Sequence, residues 1–123
     1  MRERAENTER AGPAPGAAVR GSRSGRPIMA LLDLLGRRWT LRVLWELRDG
    51  PLAFRILQAR CDGMSSSVLN QRLAELRAAG VVEHARDGYL LSREGERLLD
   101  ELEPLQAWAE RWAARAGRGA PRR

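Results

Sequence analysis

Asn70 and Gln71 are adjacent amides in a segment whose leucines, Leu69, Leu73 and Leu76, recur after four and then three residues. That spacing predicts a helix from Ser66 to Ala79 with one buried stripe. At about 100° per residue, Ser67, Asn70, Gln71, Ala74 and Ala78 fall on the opposite side. An amide offers a donor and an acceptor together, which matches the major-groove edge of adenine, and a serine hydroxyl reaches either kind of base edge. The alanines let such a helix lie close to a surface. Ser65 stands before the segment as an N-cap, and the backbone N–H groups near Ser65 and Ser66 suit a phosphate. Ser66, Ser67, Asn70 and Gln71 are therefore the candidate base-reading residues. The competing reading is an ordinary solvated polar face; the near absence of charge on it favours readout.

Arg37, Arg38 and Arg42 surround the start of an earlier apolar segment, and Arg86 sits in a later turn. With Ser65 they are the candidate phosphate contacts, which would position a duplex without reading its sequence. Arg72 and Arg77 flank the leucine stripe and could pair with Glu75, Glu83 or a neighbouring subunit. His84 is the only histidine and has no second ligand at useful spacing, so no metal site is expected. No nucleophile–base pair, carboxylate pair or phosphate-binding glycine loop is present, and neither an enzyme nor a cofactor is expected. The single cysteine, Cys61, cannot form an internal disulfide.

The surrounding segments read as helices and one hairpin. Pro27 opens a helix that Gly36 closes. Ile28, Met29, Leu31, Leu32, Leu34 and Leu35 make it apolar nearly all round, so both a core and a partner must cover it. A second helix is expected from Arg38 to Asp49, stopped by Gly50-Pro51, with Trp39 and Trp45 as core anchors. Extended Leu52-Ala53-Phe54 leads to a short helix, Arg55 to Arg60, and a turn at Cys61-Asp62-Gly63-Met64. Followed by the Ser66–Ala79 helix, this is the helix-turn-helix layout. Val81–Ala85 and Tyr89–Ser92 flank Arg86-Asp87-Gly88 as a β-hairpin, placed as a wing. Ser92 can cap a last helix from Arg93 to about Ala116. Leu98, Leu102, Leu105, Trp108 and Trp112 form a coiled-coil-like seam along it, with Pro104 expected to kink or split it near Glu103. Ile28, Leu31, Leu32 and Leu35, together with that seam, are the expected dimer interface.

The fold expected is mainly α with a small β-hairpin wing: a winged helix-turn-helix with a three-helix core plus N- and C-terminal dimerisation helices. It occupies residues 27–116 of the 123. Residues 1–26 contain one aliphatic side chain larger than alanine, Val19, and are expected to be disordered; 117–123 read as a second disordered, basic tail. Residues 37–93 hold ten Arg against six acids, whereas 94–110 hold one Arg against six acids. A basic block beside an acidic helix fits a nucleic-acid-binding head joined to an element that avoids the duplex. All 22 cations are arginine, however, so their number alone says little. No apolar run reaches membrane-spanning length and no secretory h-region follows the N-terminus; a cytoplasmic protein is expected.

With these elements in place, the chain resembles the HxlR family of bacterial winged helix-turn-helix regulators. The resemblance is carried by Leu34-Leu35-Gly36-Arg37-Arg38-Trp39-Thr40-Leu41 and by Leu44-Trp45-Glu46-Leu47-Arg48-Asp49-Gly50-Pro51. It continues through Phe54-Arg55-Ile56-Leu57 and Gly63-Met64-Ser65-Ser66-Ser67-Val68-Leu69-Asn70-Gln71-Arg72-Leu73. Leu76-Arg77-Ala78-Ala79-Gly80-Val81-Val82-Glu83 and Tyr89-Leu90-Leu91-Ser92-Arg93-Glu94-Gly95 complete it, over residues 27 to 113. Three departures stand out. Family members often carry a cysteine before the first helix, which some use to sense oxidants or electrophiles; here Arg26 stands there. The wing is short, with about three turn residues. Arg55 replaces a usual capping serine.

The resemblance and the amide face together imply a sequence-specific regulator of transcription that binds double-stranded DNA as a homodimer on a palindromic operator, as a repressor rather than an activator. A winged-helix protein-interaction module without DNA binding is the alternative from another class. A third reading is a regulator gated by a small-molecule effector held between the dimer helices, near Trp108 or Trp112.

Overall fold

The computed structural model describes residues 25–119. Nearly all of the expected 1–26 tail, and residues 120–123, lie outside the described residues. Arg26, extended, precedes helix α1 (Pro27–Leu35), with Pro27 in the first turn where its missing N–H costs nothing. Ala30, Leu34 and Leu35 are buried, while Ile28 and Leu32 are about half exposed.

Helix α2 spans Thr40–Glu46, shorter than the expected Arg38 to Asp49. Its start is set by Trp39, which takes a left-handed backbone conformation (φ 79°) and cannot belong to the helix. At the other end the chain tightens into i to i−3 bonds, Arg48 N–H to Trp45 O and Gly50 N–H to Leu47 O. Helix α3 (Phe54–Arg60) begins one residue before the expected Arg55, on Ala53, with no side-chain cap. A turn through Asp62 (φ 59°) and Gly63 (φ 67°) leads to helix α4 (Ser66–Ala78), whose cap Ser65 accepts the Val68 N–H at 3.2 Å.

Strands β1 (Val82–Ala85) and β2 (Gly88–Leu91) pair antiparallel, with Val82 opposite Leu91 and Ala85 opposite Gly88. The turn is thus the two residues Arg86-Asp87, tighter than the three expected. Leu52 joins the hairpin by exchanging two bonds with Tyr89, each 2.9 Å. A side chain at Gly88 would collide with the Leu52 carbonyl, so only glycine lets the wing lie this close.

Helix α5 (Arg93–Gly119) runs unbroken through Pro104 and past the expected end at Ala116. Proline removes one backbone bond, to the carbonyl of Asp100. Both residues are exposed, so water can take that carbonyl and the helix is not split. Ser92 caps α5 by accepting the Gly95 N–H at 3.0 Å, while its own hydroxyl donates to Gly80 O at 2.6 Å. One residue thereby joins the end of α4, the hairpin and α5.

The core is aliphatic. Val43, Leu44, Leu47, Leu57, Cys61, Leu69, Leu73 and Leu76 are all but completely buried. Leu31, Leu98 and Leu102 are half-buried against it, as is Trp39. Leu35, expected at a dimer interface, instead belongs to this core at 8% exposure; it ends α1 on the face turned inward. Trp45, expected as a core anchor, is 42% exposed. The result is a winged helix-turn-helix: a helical core, a two-stranded wing and a long C-terminal helix.

Candidate nucleic-acid interface

The leucine stripe of α4 is buried, and its other side is open. Ser65, Ser66, Ser67, Asn70, Gln71, Ala74 and Ala78 are all exposed. The helix is held at its start by Gln58 of α3, whose amide Nε2 donates to Met64 O at 2.8 Å and to Ser66 Oγ at 3.1 Å. Sequence reasoning passed over Gln58, since nothing local marks a side chain that reaches across a turn. Gln71 donates weakly, at 3.5 Å, to Glu75 one helical turn on.

Asn70 and Arg86 line one cleft, between the start of α4 and the wing, together with Phe54, His84, Asp87 and Tyr89. His84 stacks flat on Tyr89, with ring centroids 4.0 Å apart. No group of three or more metal-ligating side chains exists among the described residues.

The arginines expected together as phosphate contacts divide into two sets. Arg38 is exposed, its guanidinium 5.9 Å from the Trp39 ring centre, and Arg86 is exposed at the wing tip. Arg37 and Arg42, by contrast, are paired with carboxylates, Arg37 partly buried and Arg42 at the surface. Arg37 bonds Glu75 at 2.8 Å and Asp33 at 3.0 Å. Burial by itself would lower its pKa, but the Asp33 hydrogen bond and the Glu75 charge outweigh that and hold it above the ordinary value. Arg42 bonds Glu46 at 2.9 Å, Asp62 at 3.3 Å and the Arg60 carbonyl; its hydrogen bond to Glu46 chiefly raises its pKa. Both guanidinium groups are thus already engaged within the chain in this arrangement. Arg72 resolves toward Glu75, at 3.0 and 3.1 Å, and also donates to Arg38 O at 2.7 Å. The side chain of Glu75 is completely buried; its relations to Arg72 and Gln71 are local, but nothing in the sequence marks the burial or the bond from Arg37.

Cys61 is fully buried in the turn ahead of α4. Burial pushes its thiol up, against the opposing pull of Arg42.

Away from α4, Leu105, Trp108 and Trp112 are all more than half exposed, the two tryptophan rings stacking at 5.8 Å. Ile28 and Leu32 of α1 are about half exposed too, as are Leu41, Trp45 and Ile56. An open groove between α2 and α5 is lined by Leu41, Trp45, Leu99, Leu102 and Leu105, nearer Trp45 than the Trp108–Trp112 pair.

Comparison with known proteins places this sequence in a family. The model of the HxlR-like helix-turn-helix family matches residues 34–116, and the chain belongs to that family. It is similar to the uncharacterized HTH-type transcriptional regulator YvaP of Bacillus subtilis, at 31% identity over 88 residues, covering 66% of this chain and 82% of YvaP. The structure of quinone-bound YodB from B. subtilis superposes with a TM-score of 0.65 at 31% identity, over 68% of this chain and 96% of that one. A structure from Enterococcus faecalis V583, described as a regulator of the MarR family, gives 0.69 at 28% identity, over 83% and 99%. The protein is a transcriptional regulator of the helix-turn-helix type. No helix among the described residues is long and apolar enough to cross a membrane.

Proposed function

We propose that the protein binds double-stranded DNA as a homodimer, with α4 in the major groove of each half of a palindromic operator, and that it represses transcription by occupying that site. The observation that carries this reading is the exposed, uncharged face of Ser66, Ser67, Asn70 and Gln71 on a capped helix. Asn70 and Gln71 read base edges, supported by the two serines. Arg38, Arg86 and the backbone near Ser65 take phosphates. Ile28, Leu32, Leu105, Trp108 and Trp112 are covered by the second copy, with Leu31, Leu98 and Leu102 at the margin. Two recognition helices in successive major grooves lie about 34 Å apart. Repression needs no more than this occupancy. Selection of bound duplexes from a random pool tests the reading: a two-fold symmetric consensus is expected, and recovery of unselected sequence would overturn it.

A small-molecule effector is a second reading, favoured by the groove between α2 and α5, where leucines and Trp45 stand beside Arg42, Arg48, Glu96, Asp100, Glu103 and Glu110. The relative YodB is known in a quinone-bound form. In this chain the only cysteine is buried in the core, so the groove would hold its ligand without thiol chemistry. Quenching of Trp45 fluorescence by an apolar ligand, lost in Trp45→Phe, is the corresponding test.

A further inference from the structure

We infer that Glu75 and Arg37 are positioning residues for base readout, fixing the pose of the readout face of α4 to the turn between α1 and α2. The inference rests on the reading of α4 as the DNA-contacting helix. Glu75 lies one turn beyond Gln71, and its carboxylate is completely buried. It accepts from Arg37 Nη1 at 2.8 Å, from Arg72 Nη1 at 3.0 and 3.1 Å, and from Gln71 Nε2 at 3.5 Å. Arg37 continues the chain of contacts to Asp33 of α1 at 3.0 Å, and Arg72 Nε grips the Arg38 carbonyl at 2.7 Å.

Trp39 follows in its left-handed conformation, a kind of local strain that surrounding contacts must hold in place. Burying a carboxylate is costly, and an apolar side chain of similar volume often serves stability as well or better. Two directional bonds between elements, Arg37 to Glu75 and Arg72 to the Arg38 carbonyl, do what an apolar contact cannot: they fix rotation of α4 about its axis, and with it the aim of Asn70 and Gln71. They also link α4 to α1, whose Ile28 and Leu32 are open to a second copy. Covering α1 and aiming the readout face thereby meet in one ionic cluster.

The test is Arg37→Met in the full chain. It cuts the link to α1 but leaves Glu75 paired with Arg72, and thermal melting checks that it folds. Affinity is measured for the selected operator and for random duplex, each over a range of salt. The operator should lose about tenfold, the worth of one base contact, while random duplex and its salt slope stay as in the parent. Arg37→Lys, which still reaches toward Glu75 with a charge, should restore part of the operator affinity. Equal losses on both duplexes, with a slope lower by about one, would make Arg37 a phosphate ligand and overturn the inference. Unchanged affinity for both would reduce the cluster to a structural pin and overturn it too. If Arg37→Met does not fold, Glu75→Gln is read by the same ratio. A parent protein with no preferred sequence is a separate outcome: it removes the underlying reading, and the inference with it.

Discussion

Arg42 donates from Nη2 to the carbonyl oxygen of Arg60, 2.6 Å away, and so straps α2 to the last residue of α3. The same guanidinium reaches Asp62 in the following turn. Its position near the start of α2 suggested a phosphate contact; its bonds make it a fastener of the helix-turn-helix. Arg42→Ala should lower the melting temperature and speed hydrogen exchange of the Cys61–Met64 turn, without changing the salt slope of DNA binding. A slope reduced by about one would show instead that Arg42 meets a phosphate.

Asn70→Ala and Gln71→Ala should each weaken operator binding by about 1–3 kcal/mol. Random duplex should be bound as before, because neither side chain is assigned a phosphate. Competition binding against both duplexes gives the comparison; parallel losses would dismiss the amide face as a reader.

The opposite signature is expected for Arg38→Ala and Arg86→Ala. Both residues are exposed, and loss of either should weaken binding to every sequence and flatten the salt slope by about one unit. Titrations at several salt concentrations measure this directly.

Trp108→Ala combined with Trp112→Ala should shift the protein toward monomer. Each buried aromatic contributes through area removed from water, at about 25 cal/mol per Å². Sedimentation of this variant, and of a chain ending at Glu103, reports the effect; a well-behaved dimer in both would move the interface elsewhere.

The Cys61 thiol should react slowly with alkylating reagents in the folded protein, and DNA binding should be indifferent to mild oxidants. Burial raises its pKa, so the folded chain keeps the proton longer than the unfolded chain. The associated stability is complete below the unfolded thiol's pKa and is lost as pH rises through the folded value. A melting curve that declines less steeply at alkaline pH in Cys61→Ala would confirm the sign; rapid alkylation in the native state would contradict it.

What the sequence disclosed was what is local. The leucine period of α4, the Ser65 cap and the Ser92 cap each reside within a few residues and lie where expected; the wing does too, with its turn shortened to Arg86-Asp87. The ionic contacts are mixed: Arg37–Asp33 and Arg42–Glu46 are i, i+4 pairs open to local reading, whereas Arg37 and Glu75 are 38 positions apart and Arg42 and Asp62 are 20 apart, which no local pattern marks. Trp39 was hidden for another reason: a non-glycine residue gives no sequence sign of a positive φ. Leu35 turned inward and Trp45 outward, against expectation, because both helices are apolar on more than one side and periodicity cannot say which side the core takes.

Pro104 stands where α5 leaves the body of the protein: Leu98, Leu99 and Leu102 pack against the core, and Leu105, Trp108 and Trp112 do not. The backbone bond that proline removes is therefore missing at the root of a cantilever. From Pro104 to Gly119 the arm is about 23 Å long, so a bend of about ten degrees at its root carries the tip through roughly 4 Å. Compliance concentrated at one joint leaves the arm stiff along its length while letting its angle adjust. Two such arms meeting across a symmetry axis could absorb small differences in the separation of the heads they join, at the cost of a bend rather than of broken packing.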